Sequence, residues 1–583
     1  MQLFSRLSGE LIPFDKNMTL PSGLYALKDG AQQIILFDDG SGAYHQDDTD
    51  IFFNQDERSQ TDKDIVNNEE ALNITFDAIA HIIDKYEENS IVKFSHLLPP
   101  EVAEFIAPTD LDQAIMSGFS NGVFQTINQR PRMSMRYDVE IMATSRVKRY
   151  ASNYQAHLVA HSECWQQRTF TGIIPKKLKG QVSEDEIVIY ENKVYARLID
   201  NLLRYLASAQ ARIQQILDVI AEFGELDAQN NIHHYITQIT KDWGRAYEAA
   251  DVRELAQKSK EQMDIVQQYR AKLIHMKNGV LYRSIPQNLQ VGIALKPTNI
   301  LAHDDNYRRL AAIWRTWSKV SSKNRFTPQQ MLAMKQQRQL DYTHYVSTII
   351  KQIFADMGWE TNTDMTSIDI HSNLSIRFDR PQQGCFEFSH NHQHIARIIV
   401  NAEPLQASDL PRAYDDKTFI ISPQIRAVKI FDTIVELSPL NLHAKEALSR
   451  LIVKSLWRWL LGVFIEPLQG KLPTPIEHAL SDNRSIYTPL TQEQTKVINK
   501  QANKALVEKI KLKNAIATFV RHCPYCGKVG DKRSFIVKSS DYFKGQCNDR
   551  SCNSEWVHDQ NKATFFKLNN GGDKDGRFAF SIP

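Results

Sequence analysis

The sequence predicts a multidomain α+β protein, and three observations lead to this fold class. A chain of 583 residues with 42% hydrophobic residues is long enough for three or four domains, each with its own core. The hydrophobic pattern also changes period along the chain, and four of the six cysteines fall near the C-terminus. We divide the chain into a β-rich N-terminal domain (1–185), a long helical hairpin (186–285), an α/β domain (286–470) and a basic helix with a cysteine-rich module (471–583).

Short alternating runs predict the N-terminal hairpins. Residues 23–27 and 33–37 alternate in polarity, and the turn pairs Asp39-Gly40 and Ser41-Gly42 follow them. The acidic stretch 47–70 is expected to be a loop, and a helical period returns at 72–86.

The longest helical pattern begins at Tyr190. Apolar residues recur at i, i+3, i+4 and i+7 over residues 190–222, which predicts a helix longer than usual in globular proteins. A break at 223–231 and a second helix at 232–276 would complete a projecting hairpin or stalk. Two core helices of an ordinary bundle are the alternative.

Alternating helices and strands predict the α/β domain, because a helix, a group of strands and a further helix follow one another. A proline-punctuated connector and a lysine-rich helix come next. The segments are helices at 306–320 and 342–357, strands at 367–378, 384–389, 419–421 and 427–437, a helix at 444–464, the connector at 467–489 and the lysine-rich helix at 491–519.

Four cysteines near the C-terminus have the spacing of metal ligands. Cys523 and Cys526 form C-x2-C, and Cys547 and Cys552 form C-x4-C. Four thiolates on two short knuckles can close a tetrahedral shell around one Zn²⁺, so we predict a zinc ribbon with a structural Zn²⁺. Clustered thiols without metal, or a disulfide pair, are the alternatives.

Charge is unevenly distributed along the chain. Residues 1–70 contain 14 Asp and Glu against 5 Lys and Arg, and residues 495–583 contain 17 Lys and Arg against 8 acids. Residues 130–180 are the most basic interior stretch. We predict DNA or RNA binding at the C-terminal module, where cations hold phosphates and aromatic rings stack on bases; protein contact or solvated faces are the alternatives. The predicted nucleic-acid-binding residues are Arg521, Lys528, Lys532, Arg533, Lys538, Lys544 and Arg550.

No membrane span is expected. The most apolar segment, 451–466, is too short for a bilayer and carries Lys454 and Arg458, so a buried helix is the prediction. Because Cys164 and Cys385 are isolated in the sequence, we expect reduced cysteines and a cytoplasmic location.

Residues 130–320 resemble the McrC-like proteins of bacterial defence islands, in which a domain of unknown function precedes a PD-(D/E)xK nuclease, usually beside a McrB-type AAA+ GTPase. Four sequence pieces carry the resemblance, and their order matches the family's. They are Leu158 to Trp165 with Arg168, Ile173 to Lys177, Ile189 to Val194, and Asn306 to Arg309 followed by Trp314. In the third piece Lys193 stands where the family has arginine.

The resemblance implies a motor partner and a nuclease fold. The hairpin would dock a nucleotide-hydrolysing ring through Tyr190, Glu191 and Asn192, and the motor is another chain because no Walker motif occurs here. Nuclease chemistry would need an acid on one strand and acid-x-lysine on the next, holding Mg²⁺. Asp379 and Glu387 come nearest, but Ser389 occupies the lysine position, so we expect an inactive relic.

The sequence therefore predicts a non-catalytic, DNA-binding and scaffolding subunit of a bacterial antiviral or anti-plasmid complex, which docks an AAA+ GTPase, an ATPase or another motor protein. The alternative is a divergent Mg²⁺-dependent DNA endonuclease that uses Asp379 and Glu387. A zinc-dependent nucleic-acid regulator acting alone is a third hypothesis.

Overall fold

A computed structural model gives the fold, and it describes most of the chain. The described residues are 2–13, 19–29, 32–46, 49–53, 62–88, 97, 107–228, 249–323, 326–362, 364, 366–371, 374–391, 393–406, 417–426, 433–465, 472–481, 490–523, 528–530, 534–539, 542–549, 554–559, 564–568 and 577–580.

The chain forms two compact units. Unit 1 comprises Met1–Phe105, Ala211–Ser259 and Phe326–Pro583, and unit 2 comprises Ile106–Gln210 and Lys260–Arg325. Helices and strands are mixed, which confirms the predicted α+β class. None of the described helices combines the length and apolar character needed to cross a membrane.

The N-terminal region forms two small sheets and one long helix. Its elements are β1 (Gln2–Ser5), β2 (Leu11–Ile12), β3 (Thr19–Leu20), β4 (Tyr25–Asp29), β5 (Gln32–Ile35), β6 (Ala43–Gln46), β7 (Thr49–Phe53) and α1 (Asp62–Glu88). The sheet orders are β2-β1-β4-β5 and β3-β7-β6. The expected loop at 47–70 is partly wrong, because β7 and the first turns of α1 lie within it.

Arg6 anchors this region to the larger sheet of unit 1. The side chain is 2% exposed and donates hydrogen bonds to the carbonyl oxygens of Gly384 (3.0 Å) and Val400 (2.9 Å). Burial lowers the pKa of Arg6 to about 10. Gly384 has a φ of 66° and lies against this guanidinium, so a side chain at Gly384 would be strained and would collide with Arg6.

Unit 2 begins with two short helices and a long two-stranded ribbon. The elements are α2 (Asp110–Ser120), α3 (Val123–Gln129), β8 (Ser134–Ala143), α4 (Tyr154–Ala160), β9 (Trp165–Thr169), β10 (Gly172–Pro175) and β11 (Lys177–Glu186). Among the described strands, β8 pairs with β11 alone and β9 with β10 alone. We call residues 134–186 the arm.

Two long helices follow, and their described contacts are those of an antiparallel pair. The long pair is α5 (Tyr190–Ala228) and α6 (Ala249–Lys277). Three further helices complete the unit: α7 (Val280–Ser284), α8 (Asn299–His303) and α9 (Asp305–Lys323). Lys277 Nζ lies 3.2 Å from Asp200 Oδ1, and Arg270 donates to Gln210 at 2.5 Å. The predicted break at 223–231 is wrong up to residue 228, since α5 continues through Gly224.

The α/β part of unit 1 is built on a mixed seven-stranded sheet. The elements are α10 (Pro328–Asp356), β12 (Glu360–Thr361), β13 (Ser367–His371), β14 (Leu374–Gln382), β15 (Cys385–His390), β16 (Gln393–Val400), β17 (Leu405–Gln406), β18 (Thr418–Ser422), β19 (Ile425–Arg426), β20 (Ile434–Glu436) and α11 (Ala444–Ile465). The sheet order is β12-β13-β14-β15-β16-β18-β20, antiparallel as far as β16 and parallel from β16 to β20. Leu456 and Trp457 of α11 are buried in the core, which confirms the buried helix predicted there.

The C-terminal region shares the core of the α/β part. Its elements are α12 (Thr474–Ser481), α13 (Gln492–Gln501), α14 (Lys504–Phe519), β21 (Phe535–Ser539), β22 (Tyr542–Gln546), β23 (Ser554–Asp559), β24 (Thr564–Leu568) and β25 (Arg577–Phe580). The last five form an antiparallel sheet in chain order, which we call the knuckle sheet. Trp556 packs onto Gly545, where a Cβ would lie 2.1 Å from the indole, and donates to the Val520 carbonyl oxygen at 3.0 Å.

Candidate functional site

The arm exposes one apolar face of its ribbon. β8 and β11 pair in continuous register from Ser134↔Glu186 to Ala143↔Lys177. Alternate residues lie on opposite faces. One face is covered at the end away from the base, where Leu178 is 6% exposed and Val147 lies against Gly180. The other face carries an apolar stripe whose side chains are substantially exposed: Met135 (68%), Tyr137 (47%), Val139 (46%) and Ile141 (50%). We call it the open face.

The arm also carries cations without carboxylate partners. Residues 144–180 contain seven Lys and Arg against a single acid, Glu163. Within the described part of the chain, none of these seven forms a salt bridge, whereas Arg136 pairs with Asp138 at 3.0 Å nearer the base of the arm. The seven are Arg146, Lys148, Arg149, Arg168, Lys176, Lys177 and Lys179.

Three of these cations border the open face. Lys177 and Lys179 lie on it because they are the register partners of Ala143 and Ile141. The Arg149 guanidinium lies over the Tyr137 ring, 5.1 Å from its centroid, a cation–π geometry. The open face therefore combines apolar surface with positive charge.

A hydrogen-bond cluster centred on the buried Asn192 and Tyr307 holds the base of the arm. The Asn192 amide nitrogen donates to the carbonyl oxygens of Arg132 and Ile187, both at 2.8 Å, and these residues lie just before β8 and just after β11, at the base of the ribbon. The Tyr307 hydroxyl donates to Asn192 Oδ1 (2.6 Å) and accepts from the Arg132 backbone N–H (3.1 Å). Arg132 donates twice to Asp304 Oδ2, at 2.9 and 2.7 Å. We call Arg132, Asn192, Asp304 and Tyr307 the hub.

Burial and hydrogen bonding shift the pKa values of two hub residues. Burial raises the pKa of Tyr307 to about 12, so the hydroxyl keeps its proton and can donate to Asn192. Burial alone would raise the pKa of Asp304, but hydrogen bonds from Arg132 and from two backbone N–H groups at the start of α9 outweigh it and lower that pKa.

The hub joins two sequence pieces that the resemblance names separately. Asn192 belongs to the predicted docking residues, and Tyr307 belongs to the piece that begins α9. Asn192 is fully buried, Glu191 is 6% exposed, and the Tyr190 hydroxyl accepts from the Lys296 N–H at 2.9 Å. These contacts give the residues an internal role. Direct docking through them stays a prediction.

Asp379 and Glu387 lie side by side on the large sheet but are paired with cations. They are register partners on β14 and β15. Arg377 donates to Asp379 Oδ1 at 2.8 Å, and Glu387 Oε1 lies 2.7 Å from His394 Nδ1 and 3.6 Å from Arg397. Three cationic or protonatable groups around two carboxylates reduce the negative charge that a Mg²⁺ site requires.

A groove of about 780 Å³ opens beside Asp379. Hydroxyls and Arg377 line it, and the His390 ring lies 2.9 Å from the Ser375 carbonyl oxygen. The position two residues after Glu387 is Ser389, which also lines the groove, so the place of a catalytic lysine holds a hydroxyl.

Two of the four predicted zinc ligands are described, and both are buried near the start of the knuckle sheet. Cys523 and Cys547 are 2% and 7% exposed. The Cys523 N–H donates to the Lys528 carbonyl oxygen and the Cys547 N–H to that of Ser554, both at 2.8 Å, so the backbone of each cysteine is held in place. The Asp549 N–H lies 3.4 Å from Cys547 Sγ, a contact that favours a thiolate. Cys526 and Cys552 lie outside the described residues.

These features fit Zn²⁺, which buried thiolates hold well. Among the described residues no group of three or more His, Cys, Asp or Glu could hold a metal, but that part of the chain contains only two of the four predicted ligands.

Two of the predicted nucleic-acid-binding cations of the C-terminal region are paired with carboxylates. Lys528 Nζ lies 2.5 Å from Asp549, and Lys544 Nζ lies 2.6 Å from Glu555, which raises the pKa of Lys544. Arg521 is partly buried. Lys532, Arg533 and Arg550 lie outside the described residues, as does the side chain of Lys538.

Comparison with protein-family models, with curated proteins and with solved structures gives no match.

Sequence reasoning missed the open face. Its signal was present: Met135, Tyr137, Val139 and Ile141 alternate with polar or charged residues, which is the period of a strand with one apolar face. Only the structure shows that this face is left uncovered.

Proposed function

We propose that this chain is a non-catalytic, nucleic-acid-binding scaffold subunit of a bacterial antiviral or anti-plasmid complex that docks a nucleotide-hydrolysing partner. Nucleic-acid binding is inferred from seven arm cations that have no carboxylate partner among the described residues. Free cations neutralise phosphates and release counterions, whereas cations already paired with carboxylates contribute less. The defence setting and the motor partner rest on the sequence resemblance.

The non-catalytic part of the proposal is supported by the surroundings of Asp379 and Glu387. Arg377, His394 and Arg397 already approach the two carboxylates, and Ser389 cannot supply the positive charge of a lysine. The alternative of a divergent Mg²⁺ nuclease is favoured by one observation: the two acids are register partners, and Asp379 lines an open groove.

A cleavage assay separates these two functions. Purified protein with Mg²⁺ or Mn²⁺ should bind DNA and leave it intact over hours. Metal-dependent degradation that Glu387→Ala abolishes would establish the nuclease instead. Glu360→Ala is the matched control, because Glu360 is an exposed acid at the edge of the same sheet.

Partner docking is assigned to the far end of the helical hairpin. Deleting residues 224–231 should leave the buried part of α5 intact and remove nucleotide-hydrolysing activity from the affinity-purified complex. If that activity co-purifies unchanged, the hairpin is an ordinary part of the core. The described part of α5 already behaves as a core helix, since Val194, Leu198 and Ile199 are fully buried.

Zinc is proposed as a structural cofactor held by Cys523, Cys526, Cys547 and Cys552. A bound Zn²⁺ with four protein ligands would fix the two knuckles and leave no position for substrate.

A further inference from the structure

The open face of the arm differs in chemistry from an ordinary phosphate-binding surface. Four apolar side chains lie in a row on it, and Arg149, Lys177 and Lys179 border the same row. A duplex presents phosphates but buries its base faces in the helix stack, so it would leave the apolar stripe exposed to water. A single strand presents both phosphates and base faces.

We propose that the open face binds single-stranded nucleic acid, with bases against Tyr137 and its apolar neighbours and phosphates on Arg149, Lys177 and Lys179. The inference rests on the proposed nucleic-acid-binding function and names its substrate class. Tyr137 supplies a flat ring for stacking, and Arg149 already lies over that ring, so a base can exchange with or extend this stack.

The dimensions of the ribbon fit this ligand. Each strand has ten residues, which gives a face roughly 33 Å long. That length suits a run of at least about four nucleotides, the lower end of the range for single-strand-binding folds.

Charge argues against a second copy of the chain as the occupant. The open face carries Arg149, Lys177 and Lys179 against one acid, Asp185, in each copy, so two such faces would repel each other. A polyanion gains from the same charges.

The test is fluorescence anisotropy with labelled oligothymidylate and with a duplex of equal length. Wild-type protein should bind the single strand more tightly. Tyr137→Ala and Tyr137→Leu should each weaken single-strand binding about five-fold or more, because both remove the ring, while Tyr137→Phe should keep it. Since Leu keeps apolar surface, a loss there reports stacking rather than damage to the fold.

The control and the opposing outcomes are defined by the same titrations. Phe52→Ala removes an aromatic ring of similar exposure (49%) outside the arm and should leave the affinity for the single strand unchanged.

Three outcomes would contradict the proposal. In the first, duplex binds as tightly as single strand, Tyr137→Leu has no effect, and Lys177→Ala with Lys179→Ala weakens the binding of both nucleic acids. The single-strand proposal then fails and the proposed function stands. If neither nucleic acid binds, both fail. If poly-L-glutamate competes as well as oligothymidylate, the face is an acidic-protein site and the proposal fails.

Discussion

Residues 144–180 of the arm and the C-terminal region are both basic in sequence, yet they use their charge differently. In the arm, seven cations have no carboxylate partner among the described residues, and three of them border an open apolar face. In the C-terminal region, Lys528 and Lys544 are each paired with a carboxylate, and Cys523 and Cys547 are part of the main core of unit 1. A net charge read from sequence therefore does not locate the charge that is free to bind a polyanion.

Of the changes proposed below, removal of a zinc ligand is expected to have the largest effect on stability. Cys523→Ser should lose about one zinc per chain and destabilise the core of unit 1 as well as the knuckle sheet, because the two share one hydrophobic core. Elemental analysis and thermal unfolding measure both. Cys164→Ala, in the arm, should keep the metal. Less than about half a zinc per chain in the wild-type protein would contradict a structural site.

A buried charge in the long helix should be the next most damaging change. Leu206 is 2% exposed on α5, so Leu206→Asp should lower the free energy of unfolding by about 3–5 kcal/mol. Arg204→Glu, at an exposed position two residues earlier, is the control and should cost less than about 1 kcal/mol. Equal, small effects of both changes in chemical unfolding would show that α5 is not a core helix.

Removing the hub hydroxyl should loosen the arm selectively. Tyr307→Phe deletes the group that donates to Asn192 and accepts from Arg132, at a cost of about 1–3 kcal/mol for the buried polar atoms left unpaired. Hydrogen exchange should speed up in β8 and β11, while the knuckle sheet keeps its protection. Uniform loss of protection in both regions would mean that the hub does not serve the arm in particular.

The Asp304 carboxylate should give a smaller, pH-dependent effect. Its pKa is lowered from the ordinary value of 3.8, so the stabilisation is present above that value and is lost as pH falls through the folded-state pKa. Asp304→Asn should cost about 1 kcal/mol at neutral pH, because Arg132 is 63% exposed and solvent screens the pair. The gap between the two proteins should close near and below pH 3.8, and a gap that is constant with pH would refute the assignment.

Period and spacing predicted the long first helix at Tyr190, the buried helix near 451–465 and the alternation of helices and strands in the α/β part. These patterns failed where contacts between distant residues determine the bounds of a helix. Gly224 does not end α5, and the helix α1 begins inside an acidic stretch that looked like a loop. The sequence offered Asn192 and Tyr307 only as parts of two separate pieces, and the hydrogen bond between them is visible only in the fold.

The sequence indicates which residues could take part in a site, but not which partners they contact. Cys523 and Cys547 could be chosen because ligand spacing is local in sequence. Ion pairs that join distant residues, such as Lys528 with Asp549 and Glu387 with His394 or Arg397, depend on strand register and loop closure, which no local pattern specifies.

The salt dependence of nucleic-acid binding tests the central claim most directly. One variant replaces Arg149, Lys177 and Lys179 of the arm by Ala, and the other replaces Lys528 and Lys544 by Ala. With oligothymidylate titrated at several salt concentrations, the arm variant should bind more weakly and flatten the slope of log K against log salt by about 2–3. The knuckle variant should keep the wild-type affinity and slope. A flattened slope in the knuckle variant together with an unchanged slope in the arm variant would contradict the claim that the arm holds the nucleic acid.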